Sequence, residues 1–215
     1  MDISKSKDIL DYWFSKGLYT ADFDKWFTKS QDYDEEIKEK FGDLLKEAEQ
    51  GKGFSWLHTK DSYVAHIILL DQFSRHIYRG SGDSFKNDNG CMLFVELGWD
   101  MYKEQLKGYE FMFAFMPYMH TENLNYQKKG ARYFGIQLRL YGPPQLFSKR
   151  LLGDGETNYD KDWEMLKQMD PHQKGHMETI EVFGRFPKRN EALGRKSTPE
   201  EIRYMEQPEV KNRPY

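Results

Sequence analysis

The sequence predicts an all-α fold, a single-domain stack of antiparallel helices, and three observations carry that reading. Apolar residues recur three and four apart along most of the chain, no stretch sustains period-two alternation, and capping residues and glycines punctuate the segments at helix-length intervals. No linker-like stretch divides the 215 residues, which favours one domain over 1–215. Sixteen per cent aromatic residues, with five Trp and fifteen Phe, supply an ample core.

Taken in order, Ser4 to Ser15 puts Ile9, Leu10, Trp13 and Phe14 on one stripe, with Ser4 or Ser6 as cap and Gly17 as stop. Asp22 to Lys29 is a short helix. From Asp32 a longer one follows, where Ile37, Phe41, Leu44, Leu45 and Ala48 share a face and Gly51 takes the left-handed cap. Ser62 to Gly80 is the organising element: Val64 to Leu70 is apolar on nearly every side, the mark of a helix at the centre of a bundle. At 100° per residue, Asp71, Arg75 and Arg79 form a column that continues its buried face.

After the turn at Ser81-Gly82-Asp83, Phe85, Met92, Val95, Trp99, Tyr102 and Leu106 mark a helix to about Lys107. Tyr109 to Tyr118 is a short apolar segment broken by Pro117, and Thr121 caps a helix through Leu124, Gln127, Ala131, Phe134 and Leu138 to Tyr141. Residues 145–160 have no clear period and are read as a loop. Trp163, Leu166 and Met169 form a short helix, and Asp170-Pro171 starts another that ends at Gly184. Thr198-Pro199-Glu200-Glu201 is a capping box opening the last helix.

Net charge is -3 with both signs interspersed, so the chain has no global attraction for nucleic acid or an anionic membrane. The single Cys91 suits a reducing compartment, and the N-terminus has neither an apolar h-region nor a small-residue cleavage site. No apolar run is long enough to span a bilayer. A soluble, cytoplasmic protein is expected, with no cofactor and no metal.

Four stretches could carry chemistry. Asp71, Gln72, Arg75 and Arg79 place charge on a buried face, either as an ion-pair clamp or as the floor of a site. His120 and Glu122 sit at a helix start, where a His could act as base with Glu122 orienting it, or where Glu122 merely complements the dipole. His172 and His176 are spaced to share a metal but lack a third ligand, so His176 within reach of His120 or an Arg is the better candidate. The stretch from Phe183 to Lys196 carries Arg185, Lys188, Arg189, Arg195 and Lys196 against Glu191, on an irregular path fixed by Pro187 and glycines. Its forks suit a ligand's carboxylate or phosphate, or the chain's own Asp71 and Glu122.

These stretches, DYWF at 11–14, LLDQFSRHIYRG at 69–80, Phe85 with Asp88, FMPYMHTENL at 115–124 with Gln127, and FGRFPKRNEALGR with STPEE, resemble the DUF924 family. Ser74, His76, Thr121 and Asn123 depart from its pattern of Pro, Asn, Ser and Asp, and the missing acid at Asn123 weakens an acid/base role there. The resemblance implies a TPR-like helical stack and brings no established catalytic residues.

The expected function is binding of a small anion or an acidic peptide on a concave side through Arg75, Arg79, Arg185 and Arg189, with Asp71, Gln72, Gln127, Asn190 and Arg195 completing the ligand-binding set. The alternative is an enzyme, a hydrolase or lyase, using His120 or His176 as base with Glu122 on a small anionic substrate. Nucleic-acid binding by residues 183–196 is disfavoured by the acidic total. The oligomeric state is left open.

Overall fold

A computed structural model of the chain describes residues 1–141 and 159–211 and is helical throughout, with no strand among the described residues. Helices α1 (Lys5–Trp13), α2 (Phe23–Phe27) and α3 (Gln31–Glu49) come first. Ser30 caps α3 by accepting from Tyr33 N, and Gly51 follows its end at φ +78.

The central element runs from Lys60 to Ile77 as α4 (Lys60–Ile67), a π-helical segment (Ile68–Phe73) and α5 (Ser74–Ile77). Every side chain from Ser62 to Ser74 is buried, as its all-round apolarity requires. Trp13 anchors α1 against it, in ring contact with Phe73 at 5.3 Å and with Phe113 at 5.4 Å. Deleting such a buried indole costs about 3–5 kcal/mol.

Helix α6 (Asp88–Tyr102) lies antiparallel to this element: Tyr63 donates to Val95 O, His66 meets Phe94 and Arg75 reaches Asp88. It ends at Tyr102, short of Lys107, because Lys103 to Leu106 close a turn on Trp99 and Tyr102. The segment from Tyr109 is not broken at Pro117 but forms a twelve-residue helix, α7 (Tyr109–His120). Proline here falls in the last turn, where the backbone bond it removes is one of few left to make, and burial of Phe111 to Met119 holds the helix together.

Helix α8 (Leu124–Tyr141) returns antiparallel to α7, pairing Gln127 with Met119 and Phe134 with Phe115. At its start Thr121 Oγ1 accepts from Asn123 N, and Asn123 Oδ1 accepts from Asn125 N. The sequence-predicted loop over 145–160 falls almost wholly outside the described residues. Helix α9 (Tyr159–Phe183) runs continuously through Pro171, so the expected restart at Asp170-Pro171 does not occur. Met165, Leu166 and Met169 before the proline and Gln173 and His176 after it are all buried, and that packing overrides the local break. A 3₁₀ turn (Pro187–Arg189) leads to α10 (Pro199–Glu206), which has the expected capping box of Thr198 and Glu201, and to α11 (Pro208–Lys211).

Candidate functional site

The polar residues singled out in the sequence converge on the C-terminal end of α7. The π-helical segment turns Asp71 into the core, where burial raises the pKa of its carboxyl. His120 and Arg75 outweigh that and hold it at about 2. His120 Nδ1 lies 2.7 Å and 3.0 Å from the two Asp71 oxygens, and Gln72 Nε2 donates to Oδ2. Nδ1 is thus the nitrogen engaged by the carboxylate, and Nε2 is the one left for other partners. His120 Nε2 makes no hydrogen bond among the described residues, and the side chain is 14% exposed.

Arg75 Nη2 lies 3.7 Å from Asp71 and 2.7 Å from Asp88 Oδ1, the latter an ion contact outside hydrogen-bond angles; its Nη1 donates to Ser84 O. Arg189 takes the other Asp88 oxygen at 2.9 Å, so two cations share one carboxylate. Both guanidinium groups stack on Phe85, at 4.8 Å and 4.4 Å, and Arg189 also stacks on Phe186. Burial lowers the Arg189 pKa to about 10: Asp88 opposes the shift, but Arg75 adds to it.

The last carbonyls of α7 are capped by three separate segments. Met119 O accepts from Gln127 Nε2 and His176 Nδ1, and His120 O accepts from Arg189 Nη2. Burial pushes the His176 pKa down to about 3, so it stands neutral 6.2 Å, ring to ring, from His120.

Asp71, Gln72, Arg75, His120, His176, Gln127 and Arg189 are thus brought together. Glu122 is not on His120: its carboxylate accepts from Arg195 at 2.7 Å and 2.9 Å and from Phe186 N, contacts that outweigh the burial effect and lower its pKa. Asp71, not Glu122, orients His120. Arg79 leaves the column for Asp34, which also meets His76 Nδ1 at 2.7 Å. Arg185 forks onto Glu201, and Asn190 bonds Ser197 and the same Glu201. Asp88, Asp34 and Glu201 were not among the sequence candidates. An acid at a helix start reads as a dipole partner, and nothing local shows that Asp88 faces an arginine 101 positions on. Among the described residues no group of three or more His, Cys, Asp or Glu side chains is placed to hold a metal ion, and no helix is long and apolar enough to cross a membrane.

Of solved structures, that of the protein of unknown function ATU0120 from Agrobacterium tumefaciens matches at 25% identity with a TM-score of 0.74, over 95% of this chain and 98% of that one. No curated protein matches. The model of a bacterial protein family of unknown function, DUF924, matches residues 9–209, a span that includes every side chain of the cluster on α7, and the chain belongs to that family.

Proposed function

We propose that the chain is an enzyme that binds a small anionic substrate beside His120 and moves a proton to or from it, with Asp71 fixing the imidazole and Arg75 and Arg189 attracting the anion. The observation that carries this reading is the Asp71–His120 contact, a carboxylate buried to 1% exposure with both oxygens within 3.0 Å of one imidazole nitrogen. That arrangement sets the tautomer and orientation of a general base. His176, neutral by burial, adds no competing charge beside it.

A second reading, anion binding without catalysis, is favoured by Arg189. Two largely buried cations sharing one carboxylate leave room for another negative charge.

The test is turnover of p-nitrophenyl phosphate, p-nitrophenyl acetate and small hydroxy acids by wild type, Asp71→Asn and His120→Gln. Proton transfer by His120 predicts a 10²–10⁴-fold loss of rate in His120→Gln. Equal rates in all three proteins would end the enzymatic reading. A thermal shift with inorganic phosphate or malonate then separates the second, since a ligand at a hundred times its Kd adds about 2.7 kcal/mol.

A further inference from the structure

Residues 184–194 form a strap across the C-terminal end of α7. Both of its ends are glycines in left-handed backbone, Gly184 at φ +68 and Gly194 at φ +63. An added Cβ would meet nothing within 4 Å at either, so backbone conformation rather than crowding calls for glycine. Between them the strap is internally bonded: Arg189 N, Asn190 N and Leu193 N donate to Phe186 O, Pro187 O and Arg189 O. The strap is therefore a compact, internally bonded unit between two glycines.

Its attachments are mostly polar. Arg189 holds Asp88 and His120 O, Phe186 N donates to Glu122, Arg195 next to its end holds Glu122 and Phe186 O, and Arg185 and Asn190 tie it to Glu201 of α10. Phe186 and Pro187 are its buried apolar contacts. Beneath them lies a cavity of about 20 Å³, lined by Thr179, Tyr204 and Val210 among others, so that side is not tightly filled. The Arg195–Glu122 pair is partly exposed and exchanges with water, whereas Arg189–Asp88 is largely buried and is the stronger hold.

We infer that residues 185–193 are a lid over the Asp71–His120 pair, hinged at Gly184 and Gly194 and latched by Arg189 on Asp88 and by Phe186, whose N–H donates to Glu122 and whose carbonyl accepts from Arg195 beyond the hinge. Opening it uncaps His120 O and widens the approach to a ring only 14% exposed in the closed state. The lid's purpose rests on the acid–base reading of His120, but its opening does not.

Two measurements test it without using activity. In the wild type, hydrogen exchange at the amide of Phe186, whose bond to Glu122 crosses from the strap to the body of the protein, is compared with that of Ile67 in α4. A lid exchanges by local opening, with protection at least about tenfold lower than the core; protection equal to Ile67 would overturn the inference. In the second, diethyl pyrocarbonate modification of each histidine is mapped by mass in wild type and in Arg195→Ala. Loss of the latch raises the His120 rate several-fold while His66, deep under Phe94, stays unreactive. An unchanged His120 rate, or a parallel rise at His66, would also overturn it. A lid that opens over an inert His120 would leave the hinge standing and remove the catalytic reading; turnover with a rigid strap would do the reverse.

Discussion

The ring of Tyr63 lies directly on Gly98, close enough that a Cβ there would fall 2.4 Å from Cε2. This contact sets how near the central element and α6 can pack, and Tyr63 Oη is fixed beyond it by donation to Val95 O. Gly98→Ala relieves an unfavourable helix residue but forces the two helices apart, and the second effect is larger. The expected cost is about 1–3 kcal/mol, read as a lower urea midpoint at unchanged m-value. Gly90→Ala, with open space at its Cβ, is the control and should be neutral or stabilising.

Arg75 and Arg189 share the carboxylate of Asp88. Removing it leaves the largely buried Arg189 without its ion-pair partner and Arg75 with Asp71 at 3.7 Å, so Asp88→Ala is expected to cost about 3–5 kcal/mol. The space left is anion-sized and ringed with donors, so acetate or formate should recover part of the loss. Chloride should act less well, since it cannot accept from both forks in a plane. Equal recovery by all three salts would point to general screening in place of a defined seat.

Residues whose partners lie within a turn were readable from the sequence; distant partners mostly were not, the exception being Glu122, expected as one possible partner of the arginines in 183–196 and held by Arg195. The face of α3 through Ile37, Phe41 and Leu45 and the capping box of Thr198 and Glu201 follow from local spacing, and both are present. Pro117 and Pro171 misled because the local cost of proline is real but smaller than the burial on either side of it. The π-helical segment had no sequence signal. A 100° step projects Asp71, Arg75 and Arg79 as one column, but α5 ends at Ile77, so Arg79 lies in the turn that follows and reaches Asp34 on α3, while Arg75 stays near Asp71. His120 and Asp71 were each suspected, but their meeting across 49 positions needed the fold.

Two buried histidines set the response to acid. His66 Nδ1 has no hydrogen-bond partner among the described residues, and burial lowers its pKa from the usual 6.5 to about 4; His176 falls to about 3. Both are neutral in the folded state and protonate readily once unfolded. The unfolded state therefore binds more protons below pH 6.5, and stability falls as pH drops from there towards the folded values. Each contributes a slope of about 1.4 kcal/mol per pH unit within its window. His76, also lowered by burial, acts in the same sense. Urea midpoints should be flat above pH 7 and fall steeply from 6.5 to 4.5, with His66→Leu reducing the slope. A midpoint independent of pH over that range would show that these rings are solvated.

Glu201 does two tasks at once, and the two can be separated. As the capping-box acid its Oε2 accepts from Thr198 N at 2.7 Å; as an ion partner it takes both forks of Arg185, at 2.6 Å and 2.9 Å, and Asn190 Nδ2. The Arg185 hydrogen bond leads the contacts that hold its pKa at about 2. Thr198→Ala removes only the cap and should cost about 0.5–2 kcal/mol. Glu201→Ala removes the cap, the fork and a buried acceptor of Asn190, yet Arg185 is partly exposed and recovers water, so the ion pair itself adds little. The difference between the two variants then reports chiefly on Asn190, whose amide would lose its charged partner beside an already unpartnered Oδ1. A Glu201→Ala loss exceeding Thr198→Ala by about 1–3 kcal/mol, shrinking when Asn190→Ala is added, fits that account. Full additivity of Glu201→Ala and Asn190→Ala would mean that the contact contributes nothing to holding the strap on α10.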